Sequence, residues 1–164
     1  MITFRKAELV DTPLIERLAQ EIFRHTYREI LSPEQTDYMM EWMYSLPNLH
    51  KQMTQGHIYF IASIDGEAAG YASIEQEEEH IFHLQKIYVL PQFQGRGLGG
   101  KLFEAASGYI KSNYPAPWHL RLNVNRYNKA LGFYQHLGMY KESEGDFHIG
   151  NGYYMNDYIM AVDL

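Results

Sequence analysis

The chain has 164 residues, enough for one domain with a core of its own. Twenty acidic residues face fourteen Lys and Arg, and a formal net charge of -6 argues against a nucleic-acid partner, whose binding draws on phosphate neutralisation. The absence of cysteine excludes disulfides, thiolate nucleophiles and Cys-ligated zinc together.

The start, "MITFRKAELVDT", lacks the apolar stretch of a signal peptide. No apolar run approaches the length needed to cross a bilayer. The expected setting is therefore the cytoplasm, with no membrane partner. "ITFRKA" alternates as a short first strand. Thr12 reads as a helix N-cap and Pro13 as the first helical residue. Leu14, Ile15, Leu18 and Ile22 then repeat at helical spacing. "SPEQ", Ser32 to Gln35, predicts a capping box for a second helix. Tyr38, Met39, Trp42, Met43 and Leu46 form its apolar face, and Pro47 is expected to end it.

The period then changes. "HIYFIASI" and "AAGYASIE" flank "DGE", a hairpin signal. "QEEEH" reads as a turn and "IFHLQKIYVL" as a third consecutive antiparallel strand. A helix is expected from Gly97 to Lys111, then a strand at "WHLRLNV". "NKALGFYQHLG" predicts a short helix closed by Gly138. "MYKESEGDFHI" and "YYMNDYIMAVDL" supply two final strands. No linker or repeat divides residues 1–164, so one domain is expected. The order β-α-α-β-β-β-α-β-α-β-β gives an α+β fold around a mixed sheet.

The stretch "VLPQFQGRGLGGKLFEAA" couples a strand to a helix through a glycine-rich loop, a composition suited to phosphate. Three patterns compete for it. Gly95, Gly97 and Gly100 spell the dinucleotide fingerprint G-x-G-x-x-G, but antiparallel strands precede it and "WHLRLNVN" carries no ribose-binding acid. Gly95, Gly100 and Lys101 spell most of a Walker A loop, but Leu102 stands where a magnesium-binding hydroxyl belongs. Gln94, Gly97 and Gly99 fit Q-x-x-G-x-G at a strand end and helix start.

The third pattern has company. "HLQKIYVLPQFQGRGLGGKLFEAA", followed by "LRLNVNRYNKALGFYQHLGM" with Asn128 and Tyr134, resembles the GNAT superfamily of acetyl-CoA-dependent N-acetyltransferases. "LQKIYVLPQFQGRGLG", "GYASIE" and "NDYIMAVDL" further resemble the PaiA-like branch, associated with polyamine acetylation. The resemblance implies the GNAT (acyl-CoA N-acyltransferase) fold, a central sheet of about seven strands flanked by helices. It implies acetyl-CoA as cosubstrate and a primary amine, such as spermidine, as acceptor.

The same resemblance assigns roles. Ile87, Tyr88 and Val89 would present a strand edge to the pantetheine arm, with the Ile87 N–H holding the thioester oxygen. Gln94, Gly95, Arg96, Gly97, Leu98 and Gly99 would hold the pyrophosphate through main-chain N–H groups. Arg96 either adds charge to a phosphate or lies in solvent, and Lys101 reads as a surface residue. Asn128 would cap the next helix and bond the pantetheine arm, with Lys129 approaching the phosphates. Tyr134 would protonate the departing thiolate. Tyr88, Tyr127 and Tyr140 compete for that role in so tyrosine-rich a chain.

The base that deprotonates the amine is open. Gln85 stands where many relatives carry Glu, and an amide is not a base. Relayed water, Glu75 or His83 are the alternatives. Glu75, Glu77, Glu78 and Glu79 read either as a polycation site or as a solvated turn; Glu21 and Glu29 are equally open. The eight histidines show no ligand spacing, so no metal is expected. The tail "GYYMNDYIM" offers a homodimer surface, and is equally ordinary core. Two rival functions are acetylation of a protein N-terminus or lysine, and a regulatory CoA-binding module without turnover.

Overall fold

The computed structural model describes residues 1–164. The elements are β1 (Ile2–Lys6), α1 (Thr12–Tyr27), α2 (Pro33–Tyr44), α3 (Leu46–Thr54), β2 (Ile58–Ile64), β3 (Glu67–Glu78), β4 (Ile81–Val89), α4 (Leu98–Asn113), β5 (His119–Asn125), α5 (Leu131–His136), β6 (Tyr140–Gly150) and β7 (Tyr153–Asp163). The seven strands form one sheet in the order β1-β2-β3-β4-β5-β7-β6. All neighbours are antiparallel except β4 and β5. This is the mixed sheet expected from the sequence.

Four local expectations are corrected. Asp11, not Thr12, is the N-cap of α1; Thr12 is already helical, and its hydroxyl bonds the Leu9 carbonyl behind it. The box at α2 is one-sided. The Ser32 hydroxyl accepts from the Gln35 N–H, but the Gln35 amide turns away to the Tyr154 carbonyl, pinning α2 to β7. Pro47 does not end a helix. The chain breaks at Ser45, in extended conformation, and Ser45 caps α3, with Pro47 in its first turn. Asn128 does not cap α5, which starts three residues later; its side chain closes a turn on the Ala130 N–H at 2.8 Å. Gly138 does follow α5 with φ +91°, where an L side chain would be strained.

Two cores flank the sheet. Leu98, Leu102, Ala106 and Ile110 of α4, with Tyr134 of α5, pack on Phe60, Ala72, Phe82, Leu84 and Ile87. On the other side Ile15, Leu18, Ile22 and Phe23 of α1, with Met39, Met40, Tyr44 and Leu49, pack on Tyr59, Ile61 and Tyr71. Strand β4 serves both because of a bulge. Ser73 pairs with Lys86 and Ile74 with Leu84, so Gln85 is extra. Before it, Phe82 and Leu84 face α4. After it the parity shifts: Ile87 faces α4, while Lys86 and Tyr88 face the α1–α3 side.

Candidate active site

The site begins where two strands part. β4 and β5 pair only over Ile81–His83 and His119–Arg121. Beyond that β4 stays with β3, reaching Gly70↔Val89, while β5 stays with β7, reaching Asn125↔Asp157. The β4 edge from Leu84 to Val89 therefore has no strand beside it, and the sheet opens as a fork.

A loop closes the top of the fork. The Leu90 N–H bonds the Ala69 carbonyl, a short 3-10 turn covers Pro91–Phe93, and the Gln94 amide folds back to the Val89 carbonyl at 3.1 Å. Gly95 and Gly97 take φ values of +80° and +77°, a left-handed conformation that favours glycine. Gly97 caps α4 with no side chain in the way. The N–H groups of the first helical turn have no carbonyl within the helix, and with the helix dipole they suit an anion. Gly99 lies under Phe133, whose ring would be 3.1 Å from an added Cβ. Helix α5 can therefore sit close against the loop.

These parts wall a cavity of about 780 Å³. One wall is the end of α1 and the turn after it, including Ile22, His25, Thr26, Arg28 and Glu29. The other is Ile87–Val89, the glycine loop, and Asn128, Lys129, Phe133 and Tyr134. Of the residues singled out by sequence, Ile87, Tyr88, Val89, Gln94, Gly95, Gly97, Leu98, Gly99, Asn128, Lys129 and Tyr134 all line it. Arg96 does not; its guanidinium lies over the Phe93 ring at 5.6 Å. Glu29 is in the wall, and Glu21 is not.

Tyr134 is buried beside Phe133, ring centroids 5.4 Å apart. Burial raises its phenol above the ordinary value, and nearby Tyr27 adds to the rise, so the group stays protonated at any physiological pH. Tyr127 is exposed, Tyr140 lies on β6, and Tyr88 packs on the α1–α3 core, its ring centroid 5.8 Å from that of Tyr71.

The base alternatives are already engaged. Glu75 meets His57 Nε2 at 2.8 Å and accepts from Gln85 at 3.3 Å. His83 Nδ1 lies 3.1 Å from Glu77. None of these residues lines the cavity. Glu78 ends β3 and Glu79 stands in the turn after it, which fits the solvated-turn reading of the acidic run.

Sequence reasoning missed Tyr27. Its phenol, at the C-terminal end of α1, is buried, and burial raises it above the ordinary value. It also missed Asp157 and the buried Lys86. The only signal was a polar residue on an otherwise apolar strand face, at Asp157 and Lys86; nothing local marks Tyr27.

Comparison with known proteins matches this geometry. Residues 27–160 match the model of the acetyltransferase (GNAT) domain. An uncharacterized N-acetyltransferase of Lactobacillus delbrueckii subsp. lactis is 31% identical over 150 residues, 86% of each chain. The crystal structure of a PaiA N-acetyltransferase from Thermoplasma acidophilum in complex with coenzyme A aligns over 100% of this chain and 99% of that one. Its TM-score is 0.78 and its identity 20%. The ribosomal-protein-S18-alanine N-acetyltransferase of Escherichia coli aligns over 99% and 94%, with a TM-score of 0.74 and 20% identity. At such identities the two solved structures speak for the fold alone. The fork, the glycine loop and the matched domain together make the chain a member of the GNAT family, an N-acetyltransferase.

Proposed function

We propose that this enzyme moves the acetyl group of acetyl-CoA to the primary amine of a small polyamine such as spermidine, within one ternary complex. The observation that carries this reading is a single cavity. It joins the unpaired β4 edge, the N–H groups at the start of α4 and the Tyr134 phenol.

In this reading the N–H groups from Gly95 to Gly99 hold the pyrophosphate. Arg96 is outside the wall and serves the loop by packing on Phe93. The edge at Ile87–Val89 and the Asn128 side chain hold the pantetheine arm, and Lys129 lies near the phosphates. The Ile87 N–H holds the carbonyl oxygen as it gains charge. The neutral amine attacks the carbonyl carbon, the C–S bond breaks, Tyr134 gives its proton to the sulfur, and the proton lost from the nitrogen leaves through solvent, which reprotonates Tyr134. Holding both substrates in line supplies much of the acceleration.

Glu29 in the cavity wall and the net charge of -6 support a cationic acceptor. The PaiA-like motifs support a polyamine over a peptide. Release of CoA thiol, assayed with spermidine, spermine, monoamines and peptides with free N-termini or lysines, tests this. The cysteine-free chain gives no background. Turnover confined to peptides would overturn the polyamine assignment. Tyr134→Phe is expected to lower kcat by about 10²–10⁴-fold while CoA affinity, measured by calorimetry, holds. An unchanged kcat would remove Tyr134 from the chemistry. CoA binding with no turnover of any amine would favour a regulatory module.

A further inference from the structure

Strands β4 and β5 join the two halves of the sheet through three residue pairs, Ile81↔His119, Phe82↔Leu120 and His83↔Arg121. At this closed end of the fork, His119 and Arg121 of β5 build a side-chain cluster that acetyl transfer does not use. His119 Nδ1 lies 2.7 Å from Asp163 Oδ1 on β7, and its Nε2 lies 2.6 Å from Glu142 Oε2 on β6. The other Glu142 oxygen lies 3.1 Å from Arg121 Nε.

Strand register explains the reach. His119 pairs with Asp163, so their side chains share a face of the sheet. Glu142 belongs to β6, with β7 in between. It is the extra residue of a bulge, since Lys141 pairs with Met160 and Ser143 with Ile159. On β7 the residue opposite Arg121 is Ala161, whose single methyl leaves room for the Glu142 carboxylate to cross to β5. One imidazole thus links three strands.

The contacts dictate its protonation. An ionised carboxylate only accepts, so each bond needs an N–H on the ring, and a neutral imidazole carries just one. Only the imidazolium satisfies both acids; the neutral ring turns a lone pair toward one of them. Burial works against the charge, but the hydrogen bonds to Asp163 and Glu142 and their charges outweigh it, so His119 holds its proton above the ordinary value of 6.5. The other titratable and charged neighbours are committed elsewhere. On β4, His83 opposite Arg121 is held by Glu77 at 3.1 Å, and His80, just before Ile81, lies 3.9 Å from Glu79. On β6, Lys141 lies 3.8 Å from Glu144. The two arms differ in exposure: the Asp163 side chain is 79% exposed and that of Glu142 28%. Solvent screens the first, so the Glu142 arm carries more of the energy.

We propose that His119 is a pH-sensitive lock: as an imidazolium it ties edge strand β6, through Glu142, to β5 at the closed end of the fork, and it lets Glu142 go when it loses its proton. A group that holds its proton more tightly in the folded chain than in the unfolded one stabilises the fold at low pH. That contribution is complete below the unfolded value of about 6.5 and is lost as pH rises through the folded one.

The test follows the His119 ring signal by NMR from about pH 5 to 9, and urea unfolding at about pH 6 and 9, in wild type, His119→Gln and Glu142→Gln. The His119 midpoint is expected above that of a free histidine in wild type and lower in Glu142→Gln. Wild type should be more stable than His119→Gln at the lower pH and lose that advantage at the higher. Lys86 moves stability with pH in the opposite sense, but it is present in both proteins and cancels from the difference. At the lower pH, β6 amides should exchange faster in His119→Gln than in wild type, measured against those of β3. A stability difference independent of pH overturns the proposal, as do equal β6 exchange rates. Should His119→Gln not fold, the titration decides alone: a wild-type midpoint at or below that of free histidine, or one that Glu142→Gln leaves unmoved, overturns the lock.

Discussion

At the scale of single residues, Lys86 shows how costly a charge can be in this core. It is 6% exposed, with no carboxylate against it. Its Nζ meets Gln52 Oε1 at 2.9 Å and the Tyr59 hydroxyl, over the Tyr44 ring at 4.4 Å. Burial lowers the amine from 10.5 to about 7. In the unfolded chain it stays protonated to about pH 10.4, so between pH 7 and 10 the unfolded state binds more protons and stability rises with pH. The gap corresponds to up to about 5 kcal/mol at 1.36 per pH unit. Lost hydrogen bonds and the cation–π contact would offset about half of that. Lys86→Met leaves the Tyr59 hydroxyl its bond to Gln52 at 2.7 Å, so no acceptor is orphaned. This variant is expected to be about 2 kcal/mol more stable than wild type at pH 7, with the gain gone by about pH 9 and reversed by about 2 kcal/mol at pH 10. Urea unfolding at these pH values checks it, and a gain independent of pH would mean the buried ammonium is not its source.

Between elements, the tightest approach of backbone to backbone at a glycine is β3 against β4. A Cβ on Gly70 would fall 2.5 Å from the Tyr88 carbonyl oxygen and 3.2 Å from Val89 Cα. Both neighbours are backbone and cannot swing aside. Gly70→Ala is therefore expected to push β3 off the end of β4, which is also the cavity wall. The cost should be about 1–3 kcal/mol in unfolding experiments, with weaker CoA binding by calorimetry. Unchanged stability and affinity would show that the pair absorbs a methyl. No sequence pattern announced this contact. What was legible is what is written locally: alternation at β2–β4, the glycines at the start of α4, and Gly138 after α5. Pro47 misled because proline both ends helices and opens them, and only the capping Ser45 decides. Asn128 is similar, since an Asx turn and an N-cap use the same side-chain oxygen. The fork depends on where the β4–β5 pairing stops, at His83 and Arg121, so no local spacing could give it.

On the scale of the whole molecule, the cavity is the place where two separate cores meet through the fork. Ile22 belongs to the α1–α3 core, and Leu98 and Tyr134 to the α4–α5 core; all three line the same space. A ligand lying along one face of the sheet would order only one of these walls. A ligand passing through the fork must hold both. Coenzyme A at about 100 times its Kd stabilises the folded state by about 2.7 kcal/mol through mass action alone, wherever it sits. The total therefore does not distinguish the two geometries, but its distribution does. Amide hydrogen exchange with CoA is expected to slow both in the last turns of α1, near Ile22–Tyr27, and in the first turn of α4, near Leu98–Lys101. Protection confined to α4 would place the ligand on one face of the sheet, leave Glu29 and Tyr27 out of reach of the reacting groups, and so remove the route by which an amine meets the thioester across the fork.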